Sequence, residues 1–484
     1  MSNSELLRAV SETLMPGFHG PTLPGWLAAE LEAGLGSVCL FDTNIASPDQ
    51  LSTLTAAIHG LRPEAVITTD EEGGDVTRLH HLSGSPHPSA AFLGRQDSVG
   101  ATESVGSAIG AELRAAGIDL NLAPDADVNA NPRNPVIGVR SFGSDPRLVA
   151  RHVAAYTRGV QDAGVAACAK HFPGHGDTAT DSHLGLPIVD VDRNTLAHRD
   201  LVPFAAAVDA GTLAVMTSHI LVPTVDAHLP ATLSSAVLNL LRQDLGFTGV
   251  IVSDALDMAG ASAGRGIPEA AVLALAAGVD LLCIGYGNTG DQVAEIKAHI
   301  VNAVRTGRLD EARVFEAAAR VDRLVAALTR LRARPPRPAE AIGVDPAVFW
   351  RRGPLVPVAA PVILTLDSVG NPALARTPWG IGEHLREELD RWLPGARCGT
   401  ARDLAGVQAI LAAHPDRPLV VQGRDLGRVP FLTEAVRLVR QQRPDAIVVE
   451  LGWPESPASH DIATYGAGRA QATGLIRLLG TPRS

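Results

Sequence analysis

Cysteine is scarce in this chain of 484 residues: there are four, Cys39, Cys168, Cys283 and Cys398. They lie far apart, and three sit inside apolar, strand-like runs. No disulfide framework is expected, and buried thiols are the reading. No uninterrupted apolar run approaches the length of a membrane span, so no membrane-embedded role is expected. Basic clusters are missing too. Lys and Arg are scattered, and the net charge is −11. That argues against nucleic acid and against an anionic membrane surface as partners. There is no dinucleotide fingerprint and no Walker motif; Gly73 and Gly74 read as permitting close backbone approach, not phosphate binding. The opening Met1-Ser2-Asn3-Ser4-Glu5-Leu6-Leu7-Arg8 has no basic stretch leading into an apolar one, so no signal peptide is expected. Together these absences point to the cytoplasm.

What is present is apolar sequence in quantity. Hydrophobic residues make up 46% and charged residues 19%, enough for large cores. The length exceeds one ordinary core, so two domains are expected. Short apolar runs recur, most followed by an amphipathic helical stretch. They fall at 12–18, 37–41, 65–70, 120–124, 166–170, 213–216, 249–254 and 279–284. Eight such β-α repeats over about 250–300 residues match the size of a (β/α)8 TIM-type barrel. A doubly wound open sheet competes, since both have buried parallel strands. Several runs end in polar residues (Asp70, Lys170-His171, Ser218-His219, Asp254). A barrel gathers such ends at one mouth, whereas an open sheet spreads them out.

Residues 320–331 read as a closing helix, and Arg334-Pro335-Pro336-Arg337-Pro338 as a linker. Apolar runs return at 361–366, 418–421 and 446–451, alternating with helical stretches. The expected organisation is a barrel over 1–333, a linker over 334–355 and a smaller α/β/α sandwich domain over 356–484.

The densest chemistry lies in Lys170-His171-Phe172-Pro173-Gly174-His175-Gly176-Asp177-Thr178-Ala179-Thr180-Asp181-Ser182-His183. It follows the apolar run Val165 to Ala169, and Pro173 with two glycines bars a regular helix. A titratable loop leaving a buried strand is where α/β enzymes keep their chemistry. His171, His175, Asp177, Asp181 and His183 could move protons or bind metal. A metal site is the competing reading. It is disfavoured because the spacing is not a helical i, i+4 histidine pair with a Glu between. Neither a metal nor a cofactor is expected.

With these residues in place, the chain resembles the glycoside hydrolase family 3 β-N-acetylglucosaminidases of the cell-wall recycling type, from about Leu14 to about Leu331. The loop from Lys170 to Pro187 is similar to the family's KHFPGHG-D and D-S-H signature. Residues 69–78, Thr-Asp-Glu-Glu-Gly-Gly-Asp-Val-Thr-Arg, are similar to its D-x-EGG-x-V-x-R segment. Residues 134–143 resemble its I-G-x-R-S-F segment, and 252–258 its S-D-x-L-x-M nucleophile segment. Thr464 to Arg469 is similar to part of the smaller domain that some members carry.

The resemblance implies a retaining exo-β-N-acetylglucosaminidase. Asp254 would be the nucleophile that forms a covalent glycosyl-enzyme, in place of the turn aspartate that its strand-end position alone suggests. His183, oriented by Asp181, would be the acid/base, since an imidazole exchanges protons near neutral pH. Asp70, Arg78, Arg140, Lys170 and His171 would hold the sugar's hydroxyls. A structural ion pair is the alternative for Asp70 and Arg140. Met216 would pack on the acetamido group, with a core methionine as the other reading. Asp257 reads as a turn cap, and His175 and Asp177 as loop organisers that hydrogen-bond backbone. Glu71 and Asp75 depart from the family pattern and are expected at the rim. The implied substrates are GlcNAc-containing glycosides, either muropeptide or chitooligosaccharide fragments, in peptidoglycan recycling. The alternative is a phosphorylase of β-N-acetylglucosaminides or β-glucosides, with inorganic phosphate as acceptor: a histidine donor would not repel an anion as a carboxylate would.

Overall fold

The computed structural model describes residues 2–179, 186–335, 342–368, 377–456 and 459–482. It divides into two compact units. The first comprises Met1–Glu71, Val99–Pro135 and Ser144–Ala341; the second comprises Glu72–Ser98, Val136–Gly143 and Ile342–Ser484.

The first unit is built on eight short strands: β1 (Leu14–Pro16), β2 (Ser37–Leu40), β3 (Val66–Thr69), β4 (Leu120–Asn121), β5 (Ala166–Phe172), β6 (Ala214–Thr217), β7 (Val250–Val252) and β8 (Leu282–Gly285). Each is an apolar run that the sequence predicts. Strands β2 to β7 form a sheet in chain order, and β1 pairs with β8. Parallel bridges from Gly17 to Cys39 and from Val252 to Leu281 join these two pieces. All pairings are parallel, so the ring closes and the open-sheet alternative falls. Residues from all eight strands, such as Met15, Cys39, Val66, Leu120, Cys168, Met216, Val250 and Cys283, meet in one apolar cluster. Three residues of the helix Glu311–Arg332, Val321, Leu324 and Leu328, pack into it. That helix starts on the Asp310 carboxylate, which accepts the Ala312 N–H, and carries Arg330 and Arg332 in its last turn, where cations suit the helix dipole. Cys39, Cys168 and Cys283 are buried and Cys398 is half-buried; none is in a disulfide.

The second unit holds a six-stranded sheet. Its strands are β9 (Trp350–Arg351), β10 (Val362–Leu366), β11 (Arg397–Ala401), β12 (Leu419–Gly423), β13 (Ile447–Glu450) and β14 (Ile462–Ala463), in the order β11-β10-β12-β13-β14-β9. Only β9 is antiparallel. One face packs Ile363, Val420 and Val449 against the helices Arg386–Trp392 and Arg469–Leu479. The other packs Leu364, Val421 and Val448 against Leu404–Ala413 and Pro430–Gln442. These are the three layers expected.

The division of the chain differs from the expected 1–333, 334–355 and 356–484. Residues 72–98 and 136–143, expected in the barrel, group with the second unit. Phe92 explains the first: it is fully buried in the same cluster as Phe349 and Leu475. The expected linker also contributes to structure. Val344 and Phe349 enter that cluster, and β9 pairs with β14.

Candidate active site

The carboxyl ends of the barrel strands bring the expected polar residues to one end of the first unit. Asp70 follows β3 directly, and Lys170 lies within β5. Lys170 Nζ donates to Asp70 Oδ1 at 2.7 Å, and the lysine is almost wholly buried. A buried ammonium needs such a partner. Thus the two candidate sugar-binding groups form an ion pair with each other.

His171 is held by a residue that the sequence reading did not single out. Its Nδ1 lies 2.8 Å from Asp127 Oδ2, and its backbone N–H donates to Asp127 Oδ1. Asp127 also accepts the His175 N–H at 2.6 Å. Burial would raise the Asp127 pKa, but His171 and His175 outweigh it and lower the pKa. An ionised carboxylate on Nδ1 fixes the imidazole proton there and sets the ring's orientation. The signal that could have found Asp127 is the Asp125-Ala126-Asp127 pair just beyond β4. Asp125, Asp127 and His171 also lie close enough together to hold a cation. The Nδ1 hydrogen bond joins two of the three, and Asp125 Oδ2 stands 3.9 Å from the same ring nitrogen.

In the segment beyond β5, the side chains of His175 and Asp177 take side-chain partners where backbone ones were expected. His175 Nδ1 meets Thr178 Oγ1 at 2.8 Å. Burial drives its pKa down to about 4, against the pull of Asp127. Asp177 takes Arg199 at 2.9 Å, and Arg199 also pairs with Asp200. Burial raises Asp200 to about 6, opposed by Arg199. Gly176 packs so tightly that a β-carbon would stand 1.8 Å from the Val128 carbonyl oxygen.

Asp254 lies just past β7, half-buried, and its Oδ1 accepts the N–H of Ala255. It is near enough to act electrostatically on His175 and on Cys168. The next carbonyl, of Ala255, accepts from His219 Nε2 at 2.9 Å. His219 therefore pins the segment that presents Asp254. Asp257 accepts the Tyr286 N–H and so caps the turn after β8. Met216 packs in the barrel core.

Asp181 and His183 lie outside the described residues, as does Ser182. Arg78 and Arg140 belong to the second unit. Arg140 makes a bidentate pair with Glu72, at 3.0 and 2.8 Å. Neither Glu71 nor Asp75 sits at a rim. Glu71 is fully buried; its backbone exchanges hydrogen bonds with the Asn121 amide, and its carbonyl accepts the Tyr156 hydroxyl. Asp75 is buried in the second unit. Its Oδ1 accepts the N–H groups of Ala467 and Gly468, and its Oδ2 lies 3.1 Å from Arg424.

A closed parallel barrel with carboxylates, a lysine and histidines at its strand ends is the architecture of a barrel enzyme. Residues 28–324 match the glycosyl hydrolase family 3 N-terminal domain, and the chain belongs to that family of glycoside hydrolases. It is 37% identical to beta-hexosaminidase A of Pseudoalteromonas piscicida over 60% of this chain, a match that spans 53% of that relative. It is 38% identical to a beta-hexosaminidase of Methylococcus capsulatus over 55% of this chain and 80% of the relative. In structure it is similar to a family 3 beta-N-acetylglucosaminidase from Paenibacillus sp. str. FPU-7, with TM-score 0.85 and 29% identity, covering 99% of this chain and 98% of the other.

Proposed function

We propose that this protein is a retaining exo-β-N-acetylglucosaminidase that releases terminal β-linked GlcNAc from glycosides, muropeptide or chitooligosaccharide fragments among them. The observation that carries the reading is the meeting of Asp254, the Lys170–Asp70 pair and the Asp127–His171 pair at the strand ends of one barrel. The likeness to a β-N-acetylglucosaminidase over nearly the whole chain supports it.

In this mechanism the Asp254 carboxylate attacks the anomeric carbon. The glycosidic C–O bond breaks, and the leaving oxygen takes a proton from His183, whose imidazolium Asp181 stabilises. Water then attacks the glycosyl-enzyme. His183 accepts its proton, GlcNAc leaves, and Asp254 is regenerated. Lys170 and Asp70 hold sugar hydroxyls. A buried charged pair discriminates strongly, because the wrong sugar leaves a group unsatisfied. Arg78 and Arg140 are assigned to the sugar by family resemblance alone. Peptidoglycan recycling in the cytoplasm is the setting that fits such an enzyme.

The test is release of nitrophenol from p-nitrophenyl β-N-acetylglucosaminide with and without inorganic phosphate, together with trapping by a fluorinated GlcNAc analogue. Free GlcNAc at a phosphate-independent rate, with the label on Asp254, is expected. Sugar 1-phosphate as product would replace the hydrolase with the phosphorylase. Labelling elsewhere would overturn the nucleophile.

A further inference from the structure

At the amino ends of the barrel strands, opposite Asp254, two aspartates do similar work with unequal charge. Asp119 precedes β4. It accepts the Ile67 N–H at 2.6 Å, meets His59 at 3.0 Å and pairs with Arg332. One carboxylate there answers one guanidinium and ties the strand start to the closing helix. Asp280 precedes β8 and accepts the Ile251 N–H at 2.9 Å, which is the same tie. Yet three guanidiniums converge on it: Arg242, Arg313 and Arg320. Arg242 and Arg313 also tie the chain, donating to the carbonyls of Phe247 and Gly249 and of Leu275 and Val279, whereas Arg320 adds charge beyond that tie.

The surplus surrounds a cavity of about 570 Å³. Arg323 joins its wall as a fourth guanidinium. Among the described residues, two carboxylates pair with the cluster. Asp280 is fully buried behind it; Glu316, at 2.8 Å from Arg313 and 2.6 Å from Arg320, is half-exposed and solvated. Two positive charges are left over. Burial pushes the Arg242 pKa down to about 10, against the pull of Asp280 and Glu316 and with smaller contributions from Arg320 and Arg313. The buried Nε of Arg320 has no acceptor among the described residues. The rest of the wall is partly apolar, with Leu238, Phe247 and Ala276.

We propose that this cavity binds a phosphate monoester, its dianionic head on the arginines and its organic body against the apolar wall. Guanidinium forks match phosphate oxygens two at a time, and a dianion supplies the two missing charges. The cavity is far larger than a phosphate alone, which selects an ester over the free ion. This site is independent of the glycosidase reading, since it lies at the other end of the strands from Asp254.

Isothermal titration of the full chain at low ionic strength tests it, with glucose 6-phosphate, inorganic phosphate and glucose as probes. Saturable binding of glucose 6-phosphate is expected, weaker binding of inorganic phosphate, and none of glucose. Arg323→Gln, outside the Asp280 cluster, and Arg320→Gln should each weaken the sugar phosphate by about tenfold, the loss of one charge-assisted contact. Asp254→Asn should leave it unchanged. No saturable heat from either phosphate would overturn the proposal, and so would affinity unmoved in both arginine variants. Equal affinity for inorganic phosphate would overturn the ester, and loss of binding in Asp254→Asn would move the ligand to the other end of the barrel.

Discussion

Asp127 holds His171 by two contacts at once, side chain to ring nitrogen at 2.8 Å and carboxylate to backbone N–H at 3.3 Å. It also receives the His175 N–H. One buried carboxylate thus sets both His171 and His175, and a candidate sugar-binding ring owes its angle to a residue in the segment beyond β4.

Asp127→Asn keeps the shape and removes the charge. His171 then loses a charge-assisted bond, and its favoured tautomer is no longer imposed. The expected result is a KM for p-nitrophenyl β-N-acetylglucosaminide raised by about tenfold, with a smaller change in kcat. Steady-state kinetics beside a thermal melt separate this from unfolding. An unchanged KM in a folded variant would remove Asp127 from substrate positioning.

His175 gives a pH dependence with a definite sign. Its folded pKa is about 4, depressed by burial, against about 6.5 unfolded. Between these values the unfolded chain holds a proton that the folded one does not. Stability conferred by the neutral ring is therefore complete above about pH 6.5 and is lost as pH falls toward 4, up to roughly 3 kcal/mol. Asp200, raised to about 6, works in the opposite sense over the acid part of this range. His175→Gln should flatten the acid loss measured by urea unfolding at pH 7, 6 and 5. An unaltered pH slope would mean that the ring titrates normally.

The barrel was legible because each strand is a compact apolar run and several runs end in a polar residue that a core cannot hold. Asp254, Lys170 and Asp70 stood out for the same reason, and their roles are those proposed above. Asp127 was passed over because its one signal, an Asp-x-Asp beyond a short strand, also looks like an ordinary turn. The unit boundaries were hidden for a different reason. Periodicity marks Phe92 as buried but says nothing of which core receives it, and only the fold puts it beside Phe349. Asp75 is the sharpest case. Read as a rim residue, it is instead the ligand of two backbone N–H groups nearly four hundred positions away.

Gly176 allows a steric test of the loop. A β-carbon there would stand 1.8 Å from the Val128 carbonyl oxygen, and the atoms it meets are backbone of Val128 and Asn129. Gly176→Ala should destabilise the protein by about 1–3 kcal/mol. It should also lower kcat/KM, because the segment joining His175 to Asp177 must shift. Urea unfolding and kinetics measure the two effects. Wild-type stability and rate together would show that the loop has slack.

Asp75 supplies the last test, and its result reads the second unit directly. The carboxylate answers Arg424, whose guanidinium also lies over the Trp379 ring at 4.6 Å. Truncation to Ala strands three donors: the Ala467 and Gly468 N–H groups and the arginine. Breaking a largely buried pair from one side costs about 3 kcal/mol, because the remaining charge keeps its desolvation without its partner. Asp75→Asn should cost less, since a carbonyl oxygen can still accept from the two amides. The ordering Ala worse than Asn, followed by thermal and denaturant unfolding, is the expected outcome. If Asp75→Asn were as damaging as Asp75→Ala, the arginine pair would dominate and the two backbone bonds would count for little. If neither variant moved the unfolding curve, residues 72–98 would be held to the second unit by the Phe92 cluster and by the hydrogen bonds of Ser85, Ser89 and Arg95.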